Sequence, residues 1–201
     1  MRGRVGMAGW VLGLVVGLAA TGPAAAEGPG AMTAGTVELG VAGGFSVSHN
    51  TTDRKDLQTV YGYQGLLRLG AVVTDEHGPG ALRGNFQLLL EPTYIHLDAT
   101  PSADVFGAAV LFRWLFVGNG MVRPYLEVGG GALGGKIDLR QTSCNLNFIG
   151  EAGPGVMIFV NERTAINLGY RFQHISNGGR CAHNLGLNSS MGAVGVSYFF
   201  P

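Results

Sequence analysis

After Thr36, apolar and polar residues alternate with a period of two along most of this chain. That is the spacing at which successive side chains of an extended strand point to opposite faces. Turn-forming residues divide the alternation into eight segments, near Thr36–Val47, Thr59–Val73, Ala81–Ile95, Asp104–Phe116, Val122–Leu133, Leu146–Val160, Thr164–Ser176 and Ser189–Phe200. Each is at least as long as the roughly 9–11 residues a tilted membrane-crossing strand requires. Charges fall repeatedly on the face opposite the bulky apolar residues. Val37, Leu39 and Val41 oppose Glu38; Phe86, Leu88 and Leu90 oppose Asn85, Gln87 and Glu91; Leu126 and Val128 oppose Arg123 and Glu127. In the seventh segment Ile166, Leu168, Tyr170 and Phe172 oppose Asn167, Arg171 and Gln173. Apolar outside and polar inside is the transmembrane barrel pattern. A narrow eight-stranded barrel fills its interior with side chains, where acids and arginines pair. A soluble barrel would reverse the faces, and alternation alone leaves both open.

The N-terminus and composition bear on that choice. Arg2 and Arg4 precede an apolar run from Met7 to Ala20, and small residues lead to Ala24-Ala25-Ala26 before Glu27. That is the charged, apolar and small-residue order of a secretory signal peptide, too short to span a membrane as a helix. Cleavage would remove 1–26 and leave 27–201 as one domain. Charged residues make up only 13% of the chain and glycines number 35, against roughly 25% charged in soluble domains. These features favour an all-β, eight-stranded antiparallel transmembrane barrel over a secreted sandwich. Zero formal net charge gives no electrostatic case for nucleic acid.

With a periplasmic N-terminus, the expected short turns are Thr74–Gly80, Val117–Met121 and Asn161–Arg163. The longer external loops are His49–Gln58, His96–Ala103, Gly134–Asn145 and Asn177–Asn188. Pro92, Pro124 and Pro154 fall within the segments and cannot donate ladder hydrogen bonds, which counts against the boundaries. The terminal Tyr198-Phe199-Phe200 resembles the signal read by the outer-membrane assembly machinery, although Pro201 departs from an aromatic last residue.

Candidate chemistry concentrates between Tyr170 and Asn188. His174 and Ser176 share a strand face, roughly 6.5–7 Å apart along the strand, so the imidazole is positioned to bend toward the hydroxyl and take its proton. A loop rich in glycine and asparagine follows at once. Isolated, a His-x-Ser pair means little. The two cysteines, Cys144 and Cys181, enter an oxidising compartment and fall in adjacent external loops, which allows either a disulfide or free thiols. With His183 they supply too few ligands for zinc.

The run His174-Ile175-Ser176-Asn177-Gly178-Gly179, then Asn184-x-Gly186-x-Asn188 and a final strand, resembles the PagL family of lipid A 3-O-deacylases. The likeness is sharpest from about Leu168 to Phe200. It implies an outer-membrane esterase that removes the 3-O-linked acyl chain of lipid A, with Ser176 as nucleophile and His174 as general base. The backbone N–H of Gly179 and the side-chain amide of Asn184 would form the oxyanion hole. The family's third member is a glutamate, and Asn188 stands at that position, able to hold a tautomer but bringing no charge. Glu151 is a poor substitute because alternation sends it inward. Lipopolysaccharide is the implied substrate and the outer membrane the implied location; no cofactor or metal is required, and a homodimer is left open. The alternative is a non-enzymatic structural or adhesin-like barrel that keeps an inactive motif.

Overall fold

The computed structural model describes residues 30–49, 57–118 and 120–201. The signal-peptide reading of 1–26 lies outside the described residues, as do 50–56 of the first long connection. Eight strands close into one antiparallel barrel, each paired with its sequence neighbours. They are β1 (Val37–His49), β2 (Tyr61–Val72), β3 (Gly84–Asp98), β4 (Ala103–Phe116), β5 (Val122–Asp138), β6 (Ser143–Phe159), β7 (Thr164–Ser176) and β8 (Leu187–Phe200). The first and last strands pair from Val37↔Phe200 to His49↔Asn188, which removes both sheet edges.

The alternating pattern sorts as the sequence predicts. Val41, Phe45, Leu88, Phe106, Val128, Leu168, Phe172 and Val194 are exposed on the outer wall, whereas Glu38, Arg68, Glu91, Arg113, Glu127, Glu151 and Arg171 are buried in the lumen. Aromatic side chains gather toward both ends of the wall. Phe45–Tyr63 (5.4 Å) and Tyr94–Phe106 (4.9 Å) lie toward one end, and Tyr198–Phe200 (4.7 Å) toward the other. Paired girdles of this kind mark the two interfaces of a membrane barrel.

Ion pairs fill the middle of the lumen. Arg113 bridges Glu38 (3.0 Å) and Glu127 (2.8 Å), and Arg171 bridges Glu127 (2.6 Å), Glu91 (2.5 Å) and Glu151 (3.3 Å). Arg68 also reaches Glu91, at 3.2 Å. Buried charges survive only when partnered in this way, and removing one partner costs about 3–5 kcal/mol. The interior is not polar throughout, however. One apolar cluster, with Leu89, Ile95, Leu111, Leu133, Ile149 and Ile175, lies on one side of the network. Another, with Met32, Leu115, Tyr125, Met157, Phe159 and Phe199, lies on the opposite side. Between the two clusters the central charges are buried.

Two sequence expectations need correction. The Gly134–Asn145 segment is not an external loop. Beyond a bulge between Gly134 and Ile137, the β5–β6 ladder resumes with Ile137↔Cys144 and Asp138↔Ser143, leaving only 139–142 as a turn. Buried Ile137 and Leu139 tie this extension to the apolar cluster. The turn expected at Thr74–Gly80 is longer, because β3 starts at Gly84 and not at Ala81, and a short 3-10 turn occupies Gly80–Leu82. Loop length therefore does not separate the two ends cleanly. The three prolines remain within strands because each costs pairing on one side only. The β2–β3 ladder skips from Leu66↔Thr93 to Leu69↔Leu90 around Pro92. The β6–β7 ladder likewise skips from Ala152↔Phe172 to Gly155↔Gly169 around Pro154. Pro124 lies just past the last β4–β5 pair, Leu115↔Tyr125.

Candidate active site

Strand β7 determines where the candidate side chains point. Arg171, Gln173 and Ile175 turn inward and are buried, so Tyr170, Phe172, His174 and Ser176 take the outer wall. Asn188 pairs directly with His174 across β7–β8, and its Oδ1 lies 2.7 Å from His174 Nδ1. An amide oxygen accepts, so Nδ1 carries the proton and Nε2 is the basic nitrogen. His174 is exposed on the wall and Asn188 is half-buried.

Ser176, the last residue of β7, is half-buried and faces Phe148 of β6 in the register. Among the described residues no hydrogen bond joins it to His174. The structure thus brings together the histidine and the asparagine, with the serine on the same face at the strand end. Catalytic hydrogen bonds are often loose in unliganded enzymes and tighten with substrate.

The loop after β7 is built around a residue to which the sequence reading gave no role. Asn177 is buried; its side-chain amide donates to the carbonyls of Ser143 (2.8 Å) and His183 (2.6 Å), and its Oδ1 accepts from Arg180 N–H (3.1 Å). Its own N–H donates to Asn184 Oδ1 at 2.9 Å. That bond engages the oxygen of the Asn184 amide, and the residue itself is exposed on the loop. Gly178 (φ +64°) and Gly179 (φ +76°) both occupy the left-handed region, which a side chain would strain. Open space surrounds the position of a Cβ on Gly179, so a substrate oxygen can approach its backbone.

Besides the Asn177 bond to Ser143, further ties clamp this loop to the β5–β6 hairpin. Cys144 and Cys181 form a disulfide with Cα atoms 5.8 Å apart. Gly186 N–H donates to Gln141 O (2.8 Å), and Ser143 N–H donates to His183 O (3.0 Å). Gly186 was also missed as a site residue. It has φ +85°, and a Cβ there would collide with Cε1 of His174 and lie 3.2 and 3.3 Å from its two nitrogens. A glycine at this point lets the imidazole lie close against the loop. The one sequence signal for it was glycine two residues before Asn188.

Below the pair the outer wall is open. A groove of about 830 Å³ is lined by Gly43, Phe45, Leu168, Gly192 and Val194, among others. Among the described residues no group of three or more His, Cys, Asp or Glu side chains is placed to hold a metal ion. His183 is exposed in the loop, where its backbone, not its imidazole, holds the hairpin.

An eight-stranded closed barrel with a greasy wall, a charged lumen and a polar cluster on the outside is the build of a small outer-membrane barrel. Solved structures share the fold. The crystal structure of the outer membrane enzyme PagL is 19% identical and superposes with a TM-score of 0.56, covering 79% of this chain and 97% of that one. Neisserial surface protein A is 17% identical with a TM-score of 0.53, covering 82% and 96%. Ail, the attachment invasion locus protein of Yersinia pestis, is 13% identical with a TM-score of 0.52, covering 84% and 100%. No curated protein sequence matches the chain. The family model for lipid A 3-O-deacylase (PagL) matches residues 76–197; the chain belongs to that family and is an outer-membrane protein.

Proposed function

We propose that this chain is a serine esterase that removes the 3-O-linked acyl chain of lipid A from within the outer leaflet. The observation that carries the reading is the His174–Asn188 hydrogen bond on the lipid-facing wall, 2.7 Å long and oriented so that Nε2 is left basic. Ser176 Oγ attacks the ester carbonyl and passes its proton to His174 Nε2. The carbonyl oxygen takes up negative charge and accepts hydrogen bonds from Gly179 N–H and the Asn184 side-chain amide. Collapse breaks the ester bond, and the imidazolium returns the proton to the departing sugar oxygen. Water, deprotonated by His174, then releases the fatty acid from Ser176.

Location supports this chemistry. A site on the outer wall meets its lipid without drawing it from the bilayer, and low dielectric strengthens each oxyanion contact. The end of the barrel bearing His174 is assigned to the outer leaflet, where lipid A resides. Glu151 is not a surrogate third member, because it is buried in the lumen beside Arg171 and Gln173.

The uncharged Asn188 favours a second reading, an inactive barrel with a structural or adhesive role. Mass spectrometry of lipid A from cells expressing the chain and its Ser176→Ala variant separates the two. Loss of one 3-linked acyl chain with the parent and not with the variant supports the esterase. Unchanged lipid A in both, with folded protein in the membrane, supports the structural barrel.

A further inference from the structure

A second serine on the same wall is already hydrogen-bonded to an imidazole. Ser190 Oγ lies 2.7 Å from His49 Nε2 and 2.7 Å from the Tyr170 hydroxyl. Ser190 faces outward in β8, two residues below Asn188. Its direct neighbours in the ladder are Val47 of β1 and Phe172 of β7. His49 pairs with Asn188 and Tyr170 with Gly192. Both partners therefore reach Ser190 diagonally, from opposite sides and opposite levels. Diagonal neighbours on a sheet are within reach only of long or aromatic side chains. The cluster spans three strands and crosses the seam where the barrel closes.

We infer that Ser190 is a second nucleophile, with His49 as its base and Tyr170 as its oxyanion donor, acting on acyl esters of membrane lipids. A serine hydroxyl has one proton. With Nε2 of His49 unprotonated, that proton goes to His49, and Oγ accepts the phenol's proton in turn. This is the nucleophile–base arrangement of serine esterases, formed here without substrate. Oγ attacks the ester carbonyl as its proton moves to His49 Nε2. Tyr170, freed from Oγ by the new bond, donates to the carbonyl oxygen beside it. The ester C–O bond breaks, the departing alcohol takes the proton from His49, and water restores Ser190 through the same base. Room exists for this approach. Gly192, next on the outward face of β8, has nothing within 4 Å of a Cβ position, and it lines the open groove. A serine that only needed its hydroxyl satisfied in hydrocarbon would require one partner, not an acceptor and a donor from two other strands.

The inference does not depend on Ser176, so the test removes that residue. The full barrel carrying Ser176→Ala, folded in outer-membrane vesicles, is treated with an alkyl fluorophosphonate, and adducts are located by tandem mass spectrometry. Heat-modifiable gel mobility reports folding. An adduct on Ser190 is expected. It should form about 100-fold more slowly with His49→Gln, the lower end for loss of a general base. With Tyr170→Phe the slowing should be roughly tenfold, reduced from a buried oxyanion donor by exposure. Should His49→Gln fail to fold, His49→Asn serves instead. Reconstitution in vesicles of phospholipid alone or of lipid A alone, followed by acid quench, identifies which lipid leaves its acyl chain on Ser190. A folded barrel without a Ser190 adduct overturns the proposal, as does labelling that His49 substitution leaves unchanged. Lipid A trimming lost in Ser176→Ala while Ser190 still reacts would leave both sites standing; trimming retained in Ser176→Ala while Ser190 still reacts would overturn the Ser176 assignment alone.

Discussion

Replacing Asn188 by aspartate tests the proposed chemistry with the least change of shape. The aspartate is isosteric, so one carboxylate oxygen falls where Oδ1 now sits, 2.7 Å from His174 Nδ1. Tautomer and ring position are kept, and a negative charge is added. In the transition state His174 becomes an imidazolium, with its charge centred about 4 Å from the new carboxylate. Two unit charges at that separation attract by ~4 kcal/mol at an effective dielectric of about 20 and by ~1 kcal/mol in water. His174 is exposed near the strand end, at the headgroup level where water as well as hydrocarbon reaches the pair, and partial screening there favours the lower half of that range. A gain of about 1–2 kcal/mol corresponds to a rise of roughly 5- to 30-fold in turnover. The assay is the initial rate of fatty-acid release from purified lipid A by refolded barrel in detergent micelles. Asn188→Leu, which cannot hold the tautomer, should fall by about 100-fold or more. A folded Asn188→Asp with equal or slower turnover would refute the role assigned to the His174–Asn188 pair.

Four further outcomes follow from the same geometry. Asn184→Ala should lower kcat by about 10²- to 10³-fold with little change in KM, because an oxyanion donor acts in the transition state. Gly186→Ala forces a Cβ into the His174 ring; it should lower activity at least tenfold while costing only about 1–2 kcal/mol of stability for the left-handed backbone, and full activity would show that the ring is not held by this loop. Arg171→Leu leaves Glu91, Glu127 and Glu151 without their shared partner and should lower the urea unfolding free energy by about 3–5 kcal/mol; an unchanged midpoint would mean the lumen network is not stabilising. Replacing Cys144 and Cys181 by alanine opens a loop with a sequence separation of 37, worth about 4 kcal/mol on the chain-entropy estimate, and should speed proteolysis of 177–186 before the barrel itself.

Sequence showed the wall and the lumen clearly because a strand has only two faces and the charges were confined to one. Glu38, Glu91, Glu127 and Arg171 could be assigned inward without any partner being known. The extent of the β5–β6 hairpin was not legible. Gly134-Gly135 reads as the start of a loop, yet past a bulge between Gly134 and Ile137 the strand goes on to Asp138, and along the glycine-rich run before it small residues allow neighbouring backbones to approach. A side chain on Gly131 would run into the Ala108 carbonyl. His174 could be marked from its place on the strand and Asn188 only through the family resemblance; the β7–β8 register is what sets them side by side. Asn177 and Gly186 act through the folded loop, and no alternation announces them. The His49–Ser190–Tyr170 cluster depends on closure between the first and last strands. Residues so far apart in sequence carry no periodic signal of their meeting.

Strand β7 joins the stability of the barrel to its proposed chemistry. Its odd-numbered residues Arg171 and Gln173 bind the lumen network, and its even-numbered residues His174 and Ser176 face the membrane. A slip of one residue would exchange the two sets. It would put an arginine into hydrocarbon and break its contacts with Glu91, Glu127 and Glu151. At about 3–5 kcal/mol for an unpartnered buried charge, that register is strongly disfavoured. The inner charges therefore do more than hold the barrel closed. They fix which way the imidazole faces, and a weakened lumen network should lose activity through β7 register before the barrel unfolds.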